Sequence, residues 1–184
     1  MIAGGPNILN APILIVDDRE SNVSLLEQIL AEEGYTRITT TTNSQDVCGL
    51  HLKNRYDLIL LDLQMPGMDG FQVMEGLRTN ESESYLPVIV LTAQPAHRLR
   101  ALKAGAKDFI SKPFELVEVT TRIHNMLEVR LLYRQLESSN EALQRAVGER
   151  TAQLRESESR YRSPDEPAPG RHSSLRRIDA AGSK

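Results

Sequence analysis

Residues 58–67 read LILLDLQMPG, so an apolar run of four residues ends at Asp62 and meets an irregular segment that contains Pro66 and Gly67. A short, continuous apolar run with such neighbours is typical of a parallel strand that is buried on both faces. In an open parallel sheet, ligands bind beyond the carboxyl ends of the strands. The pattern therefore predicts a strand that delivers a carboxylate to the ligand-binding edge of a sheet.

Three further apolar runs end in polar or charged side chains, which we expect at the same edge. Residues 13–16 are followed by Asp17 and Asp18, residues 88–91 by Thr92, and residues 109–110 by Ser111, Lys112 and Pro113. Together with Asp62, the ends of these strands would gather three carboxylates, a hydroxyl and an ammonium group.

Helical patterns alternate with the strand patterns, which predicts right-handed βαβ units. Apolar residues recur at helical spacing between Val23 and Leu30, and Gly34 follows as a stop signal. The β-branched segment 37–41 predicts the second strand. Later helices are expected over residues 44–54, with Ser44 as the N-cap, and over residues 71–78 and 95–104.

The order and spacing of Asp17-Asp18, Asp62, Thr92 and Lys112-Pro113 resemble the receiver domain of bacterial two-component response regulators. The resemblance covers about residues 10–127. It implies an α/β, flavodoxin-like (βα)5 fold, which is a doubly wound parallel sheet with the strand order 2-1-3-4-5.

Composition and charge narrow the class of protein. The chain has 184 residues, 40% of them hydrophobic, and a formal net charge of −3, which indicates no general attraction to nucleic acid. Cys48 is the only cysteine, so an intramolecular disulfide is excluded and a reducing compartment is favoured. Residues 1–12 lack a basic segment before an apolar stretch, and residues 13–16 are too short for a signal peptide or a membrane helix. We therefore expect a cytoplasmic protein with no membrane partner.

Composition and periodicity divide the chain into four predicted parts. Residues 1–11 contain two glycines and a proline and are expected to form a flexible arm, and residues 12–127 to form the receiver domain. A fifth helix is predicted to start near Glu115, and residues 128–162 continue it without a proline. Residues 163–184 are rich in Pro, Ser and Arg and have no periodicity, which predicts a disordered tail.

The extended C-terminal helix carries apolar residues at seven-residue intervals, which predicts a coiled coil. Asn140 falls at a position where a buried amide favours its own mate across the interface, so we expect a parallel, in-register homodimer. Arg150 and Ser157 interrupt the pattern in its distal half. The alternative is a monomeric, solvated helix. The predicted dimer seam consists of Tyr133, Leu136, Asn140, Leu143, Val147 and Leu154.

The receiver resemblance implies a phosphoryl acceptor and a magnesium site. Asp62 would be the nucleophile that takes a phosphoryl group from a histidine kinase or a phosphotransfer protein. Two anions meet in this step, so the site needs a divalent cation, and Mg²⁺ prefers oxygen ligands. By resemblance, Asp18, Asp62 and the backbone carbonyl of Gln64 bind Mg²⁺ directly, and Asp17 acts through water.

The same resemblance assigns roles to Lys112, Thr92 and Phe109. Lys112 would pair with one phosphoryl oxygen, and the hydroxyl of Thr92 would donate a hydrogen bond to another. Thr92 would move towards the new charge, and Phe109 would turn into the space left behind it. Phe109 has no hydroxyl that could bond outside the domain, so packing must drive this switch.

The leading prediction is a phosphorelay switch that does not turn over external substrates. Other functions remain as alternatives. A hydrolase with an aspartyl-phosphate intermediate would need a second acid two residues after Asp62, where this chain has Gln64. A phosphorylation-independent dimerisation scaffold is another alternative, although no acid and no lysine of the pattern is lost. Because no output motif follows the receiver, the chain is expected to be a fragment of a larger receiver-plus-output enzyme, or a switch whose output is the coiled coil.

Overall fold

In the computed structural model, which describes residues 7–80 and 85–161, five parallel strands form one sheet. The strand order is 2-1-3-4-5, which confirms the flavodoxin-like topology predicted from the sequence. The strands are β1 (Ile13–Val16), β2 (Ile38–Thr41), β3 (Leu58–Asp62), β4 (Val88–Thr92) and β5 (Asp108–Ser111).

Helices follow the strands on both faces of the sheet. They are α1 (Glu20–Glu32), α2 (Val47–Asn54), α3 (Gly70–Asn80), α4 (Pro95–Lys103) and α5 (Leu116–Tyr161), with short 3-10 helices at Ile8–Asn10 and Ser44–Asp46. In the part of the chain that is described, no helix combines the length and the hydropathy that a membrane span requires.

Two apolar layers enclose the sheet because successive side chains of a strand point to opposite faces. Every residue of β1, β3 and β4 is buried, which explains their continuous apolar sequences. One layer joins α1 and α5 to the sheet through Ile13, Ile15, Leu26, Leu30, Leu58, Leu60, Ile123 and Leu127. The other joins α2, α3 and α4 to it through Leu14, Val16, Val47, Ile59, Leu61, Val73, Met74 and Ala101.

The segment before α2 differs from the sequence-based expectation. Asn43, not Ser44, caps it, because the Asn43 side chain accepts a hydrogen bond from the amide of Gln45 at 3.1 Å. Ser44 is buried and begins the 3-10 helix, and α2 itself begins only at Val47.

Part of the expected N-terminal arm is folded onto the domain. Ile8–Asn10 form a 3-10 helix, the Asn7 side chain accepts from the amide of Leu9, and Ala11 is buried in the core. Ile8 packs against the layer formed by α1 and α5, which gives this segment apolar contacts that a free arm would lack. Residues 1–6 of that arm and the expected tail at 163–184 lie outside the described residues.

The extended C-terminal helix is present, and its contacts with the sheet domain continue past residue 127, where that domain was expected to end. Arg130 is buried, with its Nε 3.2 Å from Asp57 Oδ1 and its Nη1 donating to the carbonyl of Tyr85. Arg134 Nη1 lies 2.8 Å from Asp57, and the ring of Tyr133 stacks on Tyr85 with centroids 4.6 Å apart. The described chain divides into two compact units between Ser139 and Asn140.

Candidate functional site

Three carboxylates meet at the carboxyl end of the sheet, where the sequence predicted them. Asp17 and Asp18 follow β1, and Asp62 is the last residue of β3. The two strands pair in parallel with Val16 opposite Leu61, so the acids that follow are neighbours. One oxygen from each carboxylate lies within 4.8 Å of the others, and Asp17 and Asp62 are buried.

Lys112 joins this acidic group from the end of β5. Its Nζ lies 2.6 Å from Asp17 Oδ2 and 3.0 Å from Asp62 Oδ1. A cis peptide bond connects Lys112 to Pro113, and the Lys112 amide donates to the carbonyl of Thr92 at 3.0 Å. One ammonium group facing three carboxylates leaves the site with negative charge in excess, which favours a bound cation.

Asp17 is held in place by neighbours that the sequence analysis did not single out. The side-chain Nδ2 of Asn22 donates to both oxygens of Asp17 at 3.0 Å, and the backbone N–H of Arg19 donates to Asp17 Oδ1. Asn22 lies in the first turns of α1, and its polar side chain there is the only signal that could have suggested this role. With Lys112 added, the oxygens of Asp17 already accept several hydrogen bonds.

Burial raises the pKa of Asp62 above its ordinary value. Lys112 opposes this shift through its charge and its hydrogen bond, Asp17 adds to it, and the backbone N–H of Gln64 lowers it again. The raised pKa reflects the cost of a carboxylate that is removed from water. A cation bound beside Asp62 would favour its ionised form.

The loop after Asp62 depends on glycine. A Cβ at Gly70 would lie 2.5 Å from the Asp62 carbonyl oxygen and 2.9 Å from the Cα of Leu63. Gly67 has a φ of +82°, which side-chain-bearing residues rarely adopt. Asp69 caps α3 by accepting from the Gln72 amide at 2.8 Å, so the loop returns tightly across the end of β3.

The predicted switch residues lie next to this site. Thr92 ends β4, is buried, and accepts a hydrogen bond from the Gln94 amide at 3.1 Å through its hydroxyl. In the β4–β5 pairing, Val90 is opposite Phe109 and Thr92 is opposite Ser111. Phe109 is half-buried, and two guanidinium groups, from Arg98 and Arg122, lie against its ring.

Curated relatives carry the same domain. Residues 13–124 match the family described as the response regulator receiver domain. The chain is 35% identical over 142 residues to the response regulator PleD of Caulobacter vibrioides, a match that covers 76% of this chain and 31% of PleD. It is 38% identical over 117 residues to the transcriptional regulatory protein PcoR of Escherichia coli, covering 62% of this chain and 50% of PcoR. The chain therefore spans about a third of one relative and half of the other.

A solved structure extends the comparison to the site. The receiver domain of the sensor histidine kinase PA1611 from Pseudomonas aeruginosa PAO1 is 30% identical, with a TM-score of 0.59 over 64% of this chain and 98% of that one. That structure has a magnesium ion coordinated in its active-site cleft. The family match over residues 13–124, the strand order and the acidic site all indicate the same family. This chain therefore belongs to the receiver domain family of two-component response regulators, which act in phosphorylation-based signalling.

Proposed function

We propose that this receiver is a phosphorylation switch and that Asp62 is the residue that accepts the phosphoryl group. The observation that carries the proposal is the meeting of three carboxylates and Lys112 at the carboxyl end of the sheet. Asp62 is the acid at the end of a central strand, and its side chain is only 6% exposed. Burial strengthens the electrostatic interactions through which such a site would act.

In the proposed step, a carboxylate oxygen of Asp62 attacks the phosphorus of a phosphohistidine on a histidine kinase or phosphotransfer protein. The O–P bond forms as the P–N bond breaks. The leaving nitrogen keeps the bonding electron pair, and the imidazole departs neutral because its other ring nitrogen carries a proton. Positioning and charge neutralisation supply most of the catalysis. Lys112 Nζ lies 3.0 Å from Asp62 Oδ1, which supports the proposal that it would pair with a phosphoryl oxygen.

The residues at this edge fit Mg²⁺, because their oxygens are the hard ligands that this ion prefers. Asp18, Asp62 and the backbone carbonyl of Gln64 would hold the ion directly, and Asp17 would act through water. The contacts of Asp17 with Lys112 and Asn22 support its indirect role, since they occupy both of its oxygens. When bound, the ion would neutralise the charge of the two anions that meet.

We propose that Thr92 and Phe109, which lie next to this site, form the switch. The hydroxyl of Thr92, now bonded to the backbone of Gln94, would turn to a phosphoryl oxygen on Asp62. Phe109, in register with Val90 on the neighbouring strand, would then move into the space that Thr92 leaves. The receiver would thus convert new charge at Asp62 into a change at the surface formed by α4, β5 and α5.

We propose a parallel coiled-coil homodimer of α5, supported by exposed apolar side chains at seven-residue spacing, among them Leu136, Leu143, Val147 and Leu154. The ring of Tyr133 also stacks on Tyr85 of its own chain. Leu136 would therefore be the first seam residue whose side chain contacts only the partner helix. We expect that this domain turns over no external substrate and that its location is cytoplasmic.

Mass spectrometry after incubation with acetyl phosphate and Mg²⁺ tests the acceptor. We expect wild type to gain one phosphoryl group and to lose this gain when EDTA removes the metal. Asp62→Asn should show no gain. Asp69→Asn is the matched control, because Asp69 is a carboxylate of the same loop with a capping role that Asn can also fill. Equal phosphorylation of wild type and Asp62→Asn would refute the assignment. A dimer that takes up no phosphoryl group would favour the scaffold alternative.

A further inference from the structure

Two helices each place one arginine side chain against the ring of Phe109. The guanidinium carbon of Arg98, on α4, lies 4.8 Å from the ring centroid, and that of Arg122, on α5, lies 5.4 Å from it. A cation within about 6 Å of an aromatic face is attracted by the ring quadrupole. The position of this β5 side chain therefore depends on both neighbouring helices.

Arg122 is firmly fixed. Its Nη1 donates to both oxygens of Asp108 at 2.8 and 2.7 Å, and its Nε donates to Glu118 at 2.9 Å. Asp108 immediately precedes Phe109 in β5, and Glu118 lies one turn earlier in α5. A planar guanidinium that is hydrogen-bonded on two edges has little rotational freedom. Arg122 is therefore the rigid one of the two arginines that contact the Phe109 ring.

Arg98 is held less completely. Its Nη2 donates to Ser111 Oγ at 2.8 Å, whereas its buried Nε makes no hydrogen bond within residues 7–80 and 85–161. A buried donor without an acceptor is unfavourable, so the Arg98 side chain should move away from the Phe109 ring more easily than Arg122 does. Its anchor, Ser111, precedes Lys112 and lies opposite Thr92 in the β4–β5 pairing. Arg98 is thus connected both to the ring and to the residues that would sense a phosphoryl group.

We propose that Arg98 and Arg122 form a cationic clamp that holds Phe109 in its resting position and thereby sets the balance between the resting and activated conformations. This inference rests on the switch role proposed for Phe109. Phosphorylation would draw Thr92 and Lys112 towards Asp62 and disturb Ser111 between them, which loosens Arg98 first. The ring would leave the clamp only when its gain in packing exceeds the lost attraction to the two guanidinium groups. Arg98 and Arg122 are positioning residues in this mechanism and do not touch the phosphoryl group.

Loss of one arm should shift the conformational balance measurably. A cation–π contact at a partly exposed site corresponds to about a two- to fivefold change in an equilibrium constant. We therefore expect Arg98→Met and Arg122→Met each to raise the activated population of the unphosphorylated protein by about that factor. Ser111→Ala should act in the same direction, because it releases Arg98 without removing any charge beside the ring.

Fluorine NMR of the full chain labelled with 4-fluorophenylalanine provides the readout. The three phenylalanines give three signals, and Phe109→Leu assigns the one of interest. The wild type, before and after phosphorylation by acetyl phosphate and Mg²⁺, defines the resting and activated positions of the Phe109 signal. Arg100→Met is the matched control, since Arg100 lies on the same helix but stacks 3.9 Å from the centroid of Phe71.

The inference predicts that the three clamp variants move the unphosphorylated Phe109 signal along the line towards its activated position, while Arg100→Met moves only the Phe71 signal. Because Ser111→Ala leaves both arginines in place, its shift separates a change in population from a local effect of lost charge. Unmoved signals in Ser111→Ala, or equal shifts in Arg100→Met, would overturn the clamp. A phosphorylated wild type with an unchanged Phe109 signal would also overturn it and leave Asp62 as the acceptor, whereas an absent mass gain would remove the proposed function and the clamp together.

Discussion

Arg130 and Asp57 form an ion pair inside the domain, although 73 residues separate them in the chain. Both side chains are 2% exposed, and Nε lies 3.2 Å from Oδ1. Asp57 directly precedes β3, the strand that ends at Asp62. The pair therefore ties α5 to one end of the strand whose other end carries the proposed phosphoryl acceptor.

Removal of Arg130 should destabilise the domain strongly. Arg130→Met leaves Asp57 buried with one fewer charged partner and the carbonyl of Tyr85 without its donor. Breaking a buried ion pair from one side costs about 3–5 kcal/mol. Arg134→Met is the matched control, because Arg134 contacts the same carboxylate but is 53% exposed, and we expect it to cost about 1 kcal/mol or less. Urea unfolding measures the loss of unfolding free energy in both variants. Equal losses would show that burial of the ion pair does not determine its contribution to stability.

Asp62→Asn should increase the free energy of unfolding at pH 7 in the presence of EDTA. Burial raises the folded-state pKa of Asp62 above its ordinary value of 3.8, so the folded protein binds this proton more tightly than the unfolded chain. Stability therefore falls as pH rises from the unfolded pKa through the folded one, and the ionised group destabilises the fold above that window. Urea unfolding at pH values from 3 to 7 should show a difference in unfolding free energy between Asp62→Asn and wild type that increasingly favours the variant as pH rises. A variant less stable than wild type at pH 7 would contradict the sign of the shift.

Gly70→Ala should weaken both the fold and phosphorylation. The added Cβ would lie 2.5 Å from the Asp62 carbonyl oxygen, and a backbone atom cannot yield as a flexible side chain can. Overpacking of this kind costs about 1–3 kcal/mol, and the shift of the loop would displace Asp62 from Lys112. We expect a lower unfolding midpoint and a slower gain of the phosphoryl group from acetyl phosphate.

Gly49→Ala is the comparison for that variant. Gly49 lies in α2, and a Cβ there meets nothing within 4 Å. Alanine is favoured over glycine in a helix interior by about 1 kcal/mol, so this variant should be as stable as wild type or more so. Similar behaviour of the two variants would mean that the close approach at Gly70 does not constrain the loop.

Leu143→Glu should separate the proposed dimer into monomers. Leu143 is exposed in the single chain and is the predicted seam residue that follows Asn140. A charge at that position would have to be buried without a partner in a two-stranded seam. Ala142→Glu adds the same charge one residue away, off the seam, and should leave the dimer intact. Light scattering at tens of micromolar gives the masses, and a monomeric wild type would refute the coiled coil.

The chemistry of the site could be predicted because each of its groups lies at the carboxyl end of a recognisable strand or just beyond it. The apolar runs before Asp17, Asp62, Thr92 and Lys112 identify buried parallel strands, and parallel strands bring their carboxyl ends to one edge of a sheet. No detail of packing is needed for this conclusion. The sequence therefore determined which groups form the acidic site, and the family resemblance that these groups carry implied the strand order.

The tertiary structure alone decided which polar residues of the helices are buried and which pairs they form. Helical periodicity marks Arg130 as a polar position, and only the distant Asp57 and the Tyr85 carbonyl make its burial favourable. Likewise, the heptad pattern places Tyr133 at the predicted seam but could not predict that its ring stacks on Tyr85 of the same chain. Arg98 and Phe109 meet for the same reason, since α4 and β5 become neighbours only when the sheet is assembled. Local periodicity gives the direction of a side chain, but its partner depends on contacts between segments that lie far apart in the sequence.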